Sequence, residues 1–189
     1  MKNIEIERKY KITETIYNDI IDFLSKNSIE FKIEKQNDIY FSPLHFPFFG
    51  GEIDNECLRI RVLDNKNILS YKKFIPATND SEAHCIEDEV EINDIDKFKT
   101  ILKDLRIEEA FTLKKERRKV IYKDIIEIAL DKVDNLGFFI ELEIINTNNL
   151  DKALDIMNEF TNKFGITDDM RNFDGYSYLL YNKGQGKLN

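Results

Sequence analysis

The chain has 189 residues, 42% of them hydrophobic and 34% charged, with 36 Asp and Glu against 28 Lys and Arg and a formal charge of −8. That length suits a single domain, residues 1–189, and the apolar content supplies a sizeable core, which excludes global disorder. The acidic balance excludes a general nucleic-acid coat, because that role needs a basic surface to displace counterions; a local basic pocket stays open.

The opening MKNIEIERKY has no apolar stretch behind its basic residue, and no apolar run approaches the ~20 residues that span a bilayer. A cytosolic protein without a membrane partner is expected. Ile4, Ile6 and Tyr10 alternate with Glu5, Glu7, Lys9 and Lys11, which predicts a first strand over about 3–11. Thr13 caps a helical pattern carried by Ile16, Ile20, Phe23 and Leu24. A second strand covers about 29–41, and residues 42–55, with two prolines and two glycines, read as a long loop.

Strands near 56–64 and 67–74 form a hairpin around Asp64–Lys66, and another strand lies at about 84–92. Asn93 or Asp94 caps a helix over about 94–105. Three strands follow, near 110–122, 125–134 and 138–146, with turns at Lys123-Asp124 and Asn135-Leu136-Gly137. The tail is helical over about 150–164 and again near 174–182. About eight strands, mostly joined by hairpins, with three or four helices make an α+β protein on an antiparallel sheet. Cys57 and Cys85 lack any paired spacing for zinc or a disulfide framework and read as half-buried thiols. His45 and His84 stand too far apart for a helical zinc pair.

The chemistry lies in what shares a strand face, since residues two apart project together. Glu5, Glu7, Lys9 and Lys11 do so, as do Arg59 with Arg61, Ser70 with Lys72 and Phe74, and Glu87 with Glu89 and Glu91. Lys115, Arg117 and Lys119 form another set, then Glu127 with Asp131, and Glu141 with Glu143. A half-solvated strand also alternates apolar and charged residues. Solvation, however, gives no reason to segregate acids and bases by strand. If eight strands curl into a barrel, one face becomes a lumen in which basic strands grip an anion and acidic strands bind its accompanying cation. Arg forks and Lys point charges suit phosphate, and magnesium takes hard carboxylate oxygens together with substrate phosphates.

Several segments carry a resemblance. Glu5-Ile6-Glu7-Arg8-Lys9 is similar to the N-terminal ExExK signature of the CYTH superfamily, the triphosphate tunnel metalloenzymes. Gln36-Asn37-Asp38-Ile39-Tyr40-Phe41 resembles that family's QxDxYF strand, and Asp54-Asn55-Glu56-Cys57-Leu58-Arg59-Ile60-Arg61 its DEALRIR segment. Leu69-Ser70-Tyr71-Lys72 resembles LTYK, and Lys115-Glu116-Arg117 resembles KxR. The run from Leu130 to Glu143 is similar to the LDxVxxLGxFxExE block. The resemblance spans about residues 3–180 and is strongest to the class IV adenylate cyclase branch.

This resemblance implies an eight-stranded antiparallel β-barrel or tunnel with flanking helices, binding a triphosphate end-on with Mg²⁺ or Mn²⁺. It implies phosphate binding by Lys9, Arg59, Arg61, Lys72, Lys115 and Arg117. Metal binding would fall to Glu5, Glu7, Glu141 and Glu143, with Glu89 and Asp131 as further acidic lumen residues. Lys9, Glu7 and Asp131 are the catalytic candidates. The chain departs from the family where an arginine usually precedes the acids of the fifth strand; His84, Cys85 and Ile86 stand there instead. Arg117 and Arg118 compete for one role, although they point to opposite faces.

The implied enzyme converts ATP to cyclic AMP and pyrophosphate, or hydrolyses inorganic or thiamine triphosphate. A non-catalytic polyphosphate- or nucleotide-binding module is the third alternative. No phosphate-binding glycine loop and no nucleophile triad is present. An edge-rich β protein is also compatible with homodimerisation.

Overall fold

The computed structural model describes residues 6–27, 29–50, 56–75, 84–146 and 149–184. Glu5, the loop residues 51–55 and the side chains of His84 and Cys85 lie outside the described residues. In chain order the elements are β1 (Ile6–Ile12), α1 (Glu14–Lys26), β2 (Lys32–Pro43), β3 (Glu56–Val62), β4 (Asn67–Ile75) and β5 (His84–Ile92). Then come α2 (Ile95–Asp104), β6 (Ile107–Tyr122), β7 (Ile126–Val133), β8 (Gly137–Ile144), α3 (Leu150–Lys163), a short 3-10 turn (Asp168–Met170) and α4 (Tyr176–Gly184).

The strands form one eight-stranded antiparallel sheet in the order β1-β8-β7-β6-β2-β3-β4-β5, the α+β architecture expected from the sequence. Among the described residues no ladder joins β1 to β5, so hydrogen bonding does not close the sheet into a barrel. The outer edge of β1 is met instead by the chain itself. Tyr10 bridges Arg171, and the Asn172 amide donates to the Lys9 carbonyl at 2.9 Å. No helix among the described residues is long and apolar enough to cross a membrane.

Two compact units divide the chain: residues 1–34 with 115–175, and residues 35–114 with 176–189. In the first, one face of β1, β7 and β8 supplies Tyr10, Ile12, Ile126, Ile128, Leu130, Ile140 and Leu142 to a core closed by α1 and α3. From those helices come Tyr17, Ile20 and Leu24, then Ile156, Met157 and Phe160. Both helices begin where a short polar side chain takes up a free amide. The Thr13 hydroxyl accepts from Ile16 N at 3.2 Å, and the Asn149 side chain from Lys152 N at 3.0 Å.

In the second unit Ile39, Phe41, Ile60 and Leu102 make a smaller core, joined by Leu58, Val62, Leu69, Ile95 and Phe98. Here α2 covers one face of β2 and β3. Of the two residues able to cap it, Asp94 does so, accepting from Lys97 N at 2.9 Å. Helices α1, α2 and α3 take the apolar face, which leaves the opposite face of the strands to the charged residues and, in the second unit, to α4, whose Tyr181 meets Phe111.

Hairpin turns set the register. Lys123 and Asp124 both have positive φ (52° and 57°) in the three-residue connection that leaves Tyr122 paired with Ile126 between β6 and β7. That turn places Arg117 opposite Asp131, and the next places Asp131 opposite Phe139 and Ala129 opposite Glu141.

Candidate functional site

In the first unit the helix-free face carries three crossing rows. Glu7 pairs in register with Glu143, which pairs with Glu127. Lys9 lies opposite Glu141, next to Ala129 and then Lys119. Asp131 lies opposite Arg117. The centre of this face is buried, with Asp131 0% exposed and Lys115 5% exposed, while Glu7 at its edge is exposed.

Arg117 donates through Nε to Asp131 Oδ1 at 2.7 Å, and its Nη2 reaches both Asp131 Oδ2 and Glu141 Oε2 at 2.5 Å. Lys115 Nζ donates to the same Asp131 at 3.3 Å, and Lys119 pairs with Glu127 at 2.6 Å. Lys9 Nζ donates to the Asp174 carbonyl. Arg118, one residue on, turns to the helix side and pairs with Glu116 at 2.8 Å. The ambiguity between the two arginines is thereby resolved: Arg117 belongs to the charged face.

The second unit carries its own ionic group. Arg61 grips Asp38 with two bonds of 2.7 Å, while Asp38 is 1% exposed. Arg59, buried, donates to Ser70 Oγ at 3.1 Å and lies 3.6 Å from Asp38, 3.7 Å from Glu89 and 3.9 Å from Glu87. Lys72 meets Glu87 at 2.8 Å. Buried charge is costly unless paired and hydrogen-bonded, and these pairings meet that condition. Of the residues singled out from the sequence, Lys9, Glu7, Lys115, Arg117, Asp131, Glu141 and Glu143 share the face in the first unit. Arg59, Arg61, Lys72 and Glu89 share the face in the second.

Titration follows from burial and neighbours. Burial pushes the Glu7 carboxyl above its usual range, with the like charges of Glu141 and Glu143 adding to it and Lys9 and Arg117 opposing; remaining solvent contact moderates the shift. Burial holds the Lys9 ammonium below its usual value, against the pull of Glu141 and Glu7. Cys57 is buried, and burial pushes its thiol up to about 11, so this cysteine is an inert core thiol.

Could these residues hold a divalent cation? Among the described residues no three His, Cys, Asp or Glu side chains are gathered as a preformed cage. The donor chemistry nonetheless fits. Glu7, Glu143 and Glu127 stand directly across from one another, where like charges destabilise a sheet, and Glu7 is already pushed toward its neutral form. A hard cation relieves that repulsion and takes carboxylate oxygens by preference.

Two residues of this ionic framework were not among the sequence candidates as site residues. Asp38 anchors both Arg59 and Arg61, and Ser70 anchors Arg59. An acid two residues before Tyr40 on the same face of β2 was the available signal for Asp38. The Asp174 carbonyl, which holds Lys9, carried none, because a backbone acceptor leaves no trace in residue type.

Comparison with known proteins identifies a family and a fold. A family model described as "CYTH domain" matches residues 3–169. A Methanocaldococcus jannaschii protein carrying the name "Putative adenylate cyclase MJ0240" is 36% identical over 179 residues, covering 93% of this chain and 97% of that one. Among solved structures, the PH1819 protein of Pyrococcus horikoshii OT3 superposes with a TM-score of 0.70 at 26% identity, over 95% of this chain and 99% of that chain. HpAC1 from Hippeastrum, a "putative adenylyl cyclase" with a dominant triphosphatase activity, gives a TM-score of 0.67 over 98% of this chain and 96% of that one. At 19% identity the last likeness shows a shared fold alone.

Proposed function

The chain belongs to the CYTH domain family, and on that footing we propose that it is a divalent-metal-dependent enzyme acting on a triphosphate, with conversion of ATP to cyclic AMP and pyrophosphate as its leading activity. The observation that carries this reading is the row Glu7–Glu143–Glu127 set beside Lys9, Lys115 and Arg117 on one face. Carboxylates for a cation and bases for phosphate oxygens stand within one or two strands of each other. The name of the Methanocaldococcus relative supports the cyclase. The activity of HpAC1 supports a second reading, hydrolysis of an inorganic or organic triphosphate at the same residues.

In this proposal Lys9, Lys115 and Arg117 hold phosphate oxygens in the first unit, and Arg59, Arg61 and Lys72 have that role in the second. In the first unit Glu5, Glu7, Glu141 and Glu143 would hold Mg²⁺ or Mn²⁺ with Asp131 as a supporting acid, and Glu89 is the supporting acid proposed in the second. Bound there, the ion supplies charge stabilisation to the attacking and leaving oxygens. Asp131 acts through others: fully buried, it fixes the guanidinium of Arg117 and the ammonium of Lys115 before substrate arrives. Lys9, whose charge burial disfavours, regains its proton affinity beside a polyanion, so it is a responsive point charge for the substrate. In the cyclase the 3′-hydroxyl attacks the α-phosphorus and pyrophosphate leaves. In the hydrolase water attacks the γ-phosphorus and orthophosphate leaves.

The test is one incubation series with ATP, tripolyphosphate and thiamine triphosphate, each with Mg²⁺ or Mn²⁺. Cyclic AMP with pyrophosphate is expected; orthophosphate release establishes the second reading. No product from any of the three overturns the enzyme, and metal-dependent protection against unfolding in that case leaves a binding module.

A further inference from the structure

The geometry points to a stacking subsite for a planar heterocycle, a nucleobase, in the second unit, formed by Tyr40, Phe49, Phe111 and Tyr181. This inference rests on the triphosphate reading above and deepens it, because it separates nucleoside triphosphates from inorganic ones.

The four rings form a connected set. Tyr40 stacks on Phe111, with ring centres 5.0 Å apart and planes 29° from parallel. Phe49 meets Phe111 at 4.9 Å and Tyr40 edge-on at 6.2 Å. Tyr181, on α4, lies 5.8 Å from Phe49 and 6.4 Å from Phe111. Such a group could serve only to pin α4 to the strands, but a core of that kind buries its members completely. Here Tyr40 alone is buried, and Phe49, Phe111 and Tyr181 are half-buried.

Placement relative to the charges gives the set its direction. Tyr40 follows Asp38 by two residues on the same face of β2, about 7 Å along the strand, and stands in register with Arg59. The Arg59–Asp38–Arg61 group therefore passes directly into an aromatic one. A triphosphate engaged by Arg59, Arg61 and Lys72 and followed by a sugar presents its base at that distance; inorganic tripolyphosphate has nothing to offer the rings. Aromatic side chains stack on any base through its π-face, without reading its edge.

The approach of Tyr181 to the loop is also specific. Gly50 has φ +74°, and a Cβ at this position would come within 2.1 Å of the Tyr181 hydroxyl, so only glycine lets that ring take its place.

Calorimetric binding of ATP and of tripolyphosphate, each with Mg²⁺, to the wild type and to Phe49→Leu, Phe111→Leu and Tyr181→Leu tests the subsite. ATP affinity is expected to fall about tenfold per ring, with tripolyphosphate affinity unchanged, and Tyr181→Phe to bind ATP as the wild type does. Equal losses for both ligands, or no loss for either, overturn the subsite. If the wild type binds neither ligand, the triphosphate reading fails first and takes the subsite with it. Should the leucine variants fail to fold, the wild type alone decides. The chain has no tryptophan, so its tyrosine fluorescence is directly readable. ATP should quench it after correction for nucleotide absorption while tripolyphosphate does not; equal response to both overturns the proposal.

Discussion

Glu7 and Asp131 are both acids on one sheet face, yet their surroundings differ. Glu7 has its pKa raised above the ordinary 4.5, so the folded protein favours its neutral form. Its contribution to stability is fully present below that ordinary value and is lost as pH rises through the raised one. Near neutral pH the ionised Glu7 is thus a liability of the metal-free protein. Glu7→Gln should be more stable than the wild type at pH 7 without metal, by up to about 1 kcal/mol given its solvent contact, and the gap should close on acidification. Urea midpoints from roughly pH 4 to pH 8 measure this. Asp131 has no solvent contact and neutralises Lys115 and Arg117. Asp131→Asn leaves two buried cations under-compensated, and a loss of about 3 kcal/mol is expected in equilibrium unfolding. At this scale the sequence revealed which residues share a face but not which ions pair. Arg61 and Asp38 lie 23 positions apart, and their bond exists only because the strand register sets them opposite each other.

Elements were more legible than pairs, because period-two alternation and capping residues are local. The fifth strand spans His84–Ile92 as its Glu87, Glu89 and Glu91 alternation predicts, and Asp94 starts α2. Misjudged boundaries have local causes too. The second strand begins at Lys32 rather than near 29, because Ile29 N donates to the Leu24 carbonyl and closes the end of α1. Three residues, Asp168–Met170, are too few to show any period, so their 3-10 turn left no signal. The prediction at this scale concerns α2, which packs Leu102, Ile95 and Phe98 into the smaller core. Asp94→Ala should cost about 1 kcal/mol and Asp94→Asn much less, by denaturant midpoint. Equal costs would mean that the carboxylate's charge, not its cap bond, supports the helix.

At the scale of the molecule, the boundary between the two units falls inside a continuous strand. β6 runs from Ile107 to Tyr122, and the division lies between Lys114 and Lys115. Domains ordinarily part at exposed linkers rich in glycine or proline, which these residues are not. A single cooperative unfolding transition is expected, with far-UV circular dichroism and tyrosine fluorescence coinciding; two separated midpoints would make the units independent domains. The motif order along the chain made the α+β sheet legible in advance, but the open ladder was not, since a strand's sequence does not say what lies beyond its outer edge.

That open ladder has a further consequence at β5. Among the described residues this strand pairs with β4 alone; Glu87 faces Lys72 and Glu89 faces Arg59, and the exposed Asp88 and Glu91 add further acid to its unpaired rim. A second molecule offering its own β5 would be repelled, which is how natural sheets discourage fibre growth.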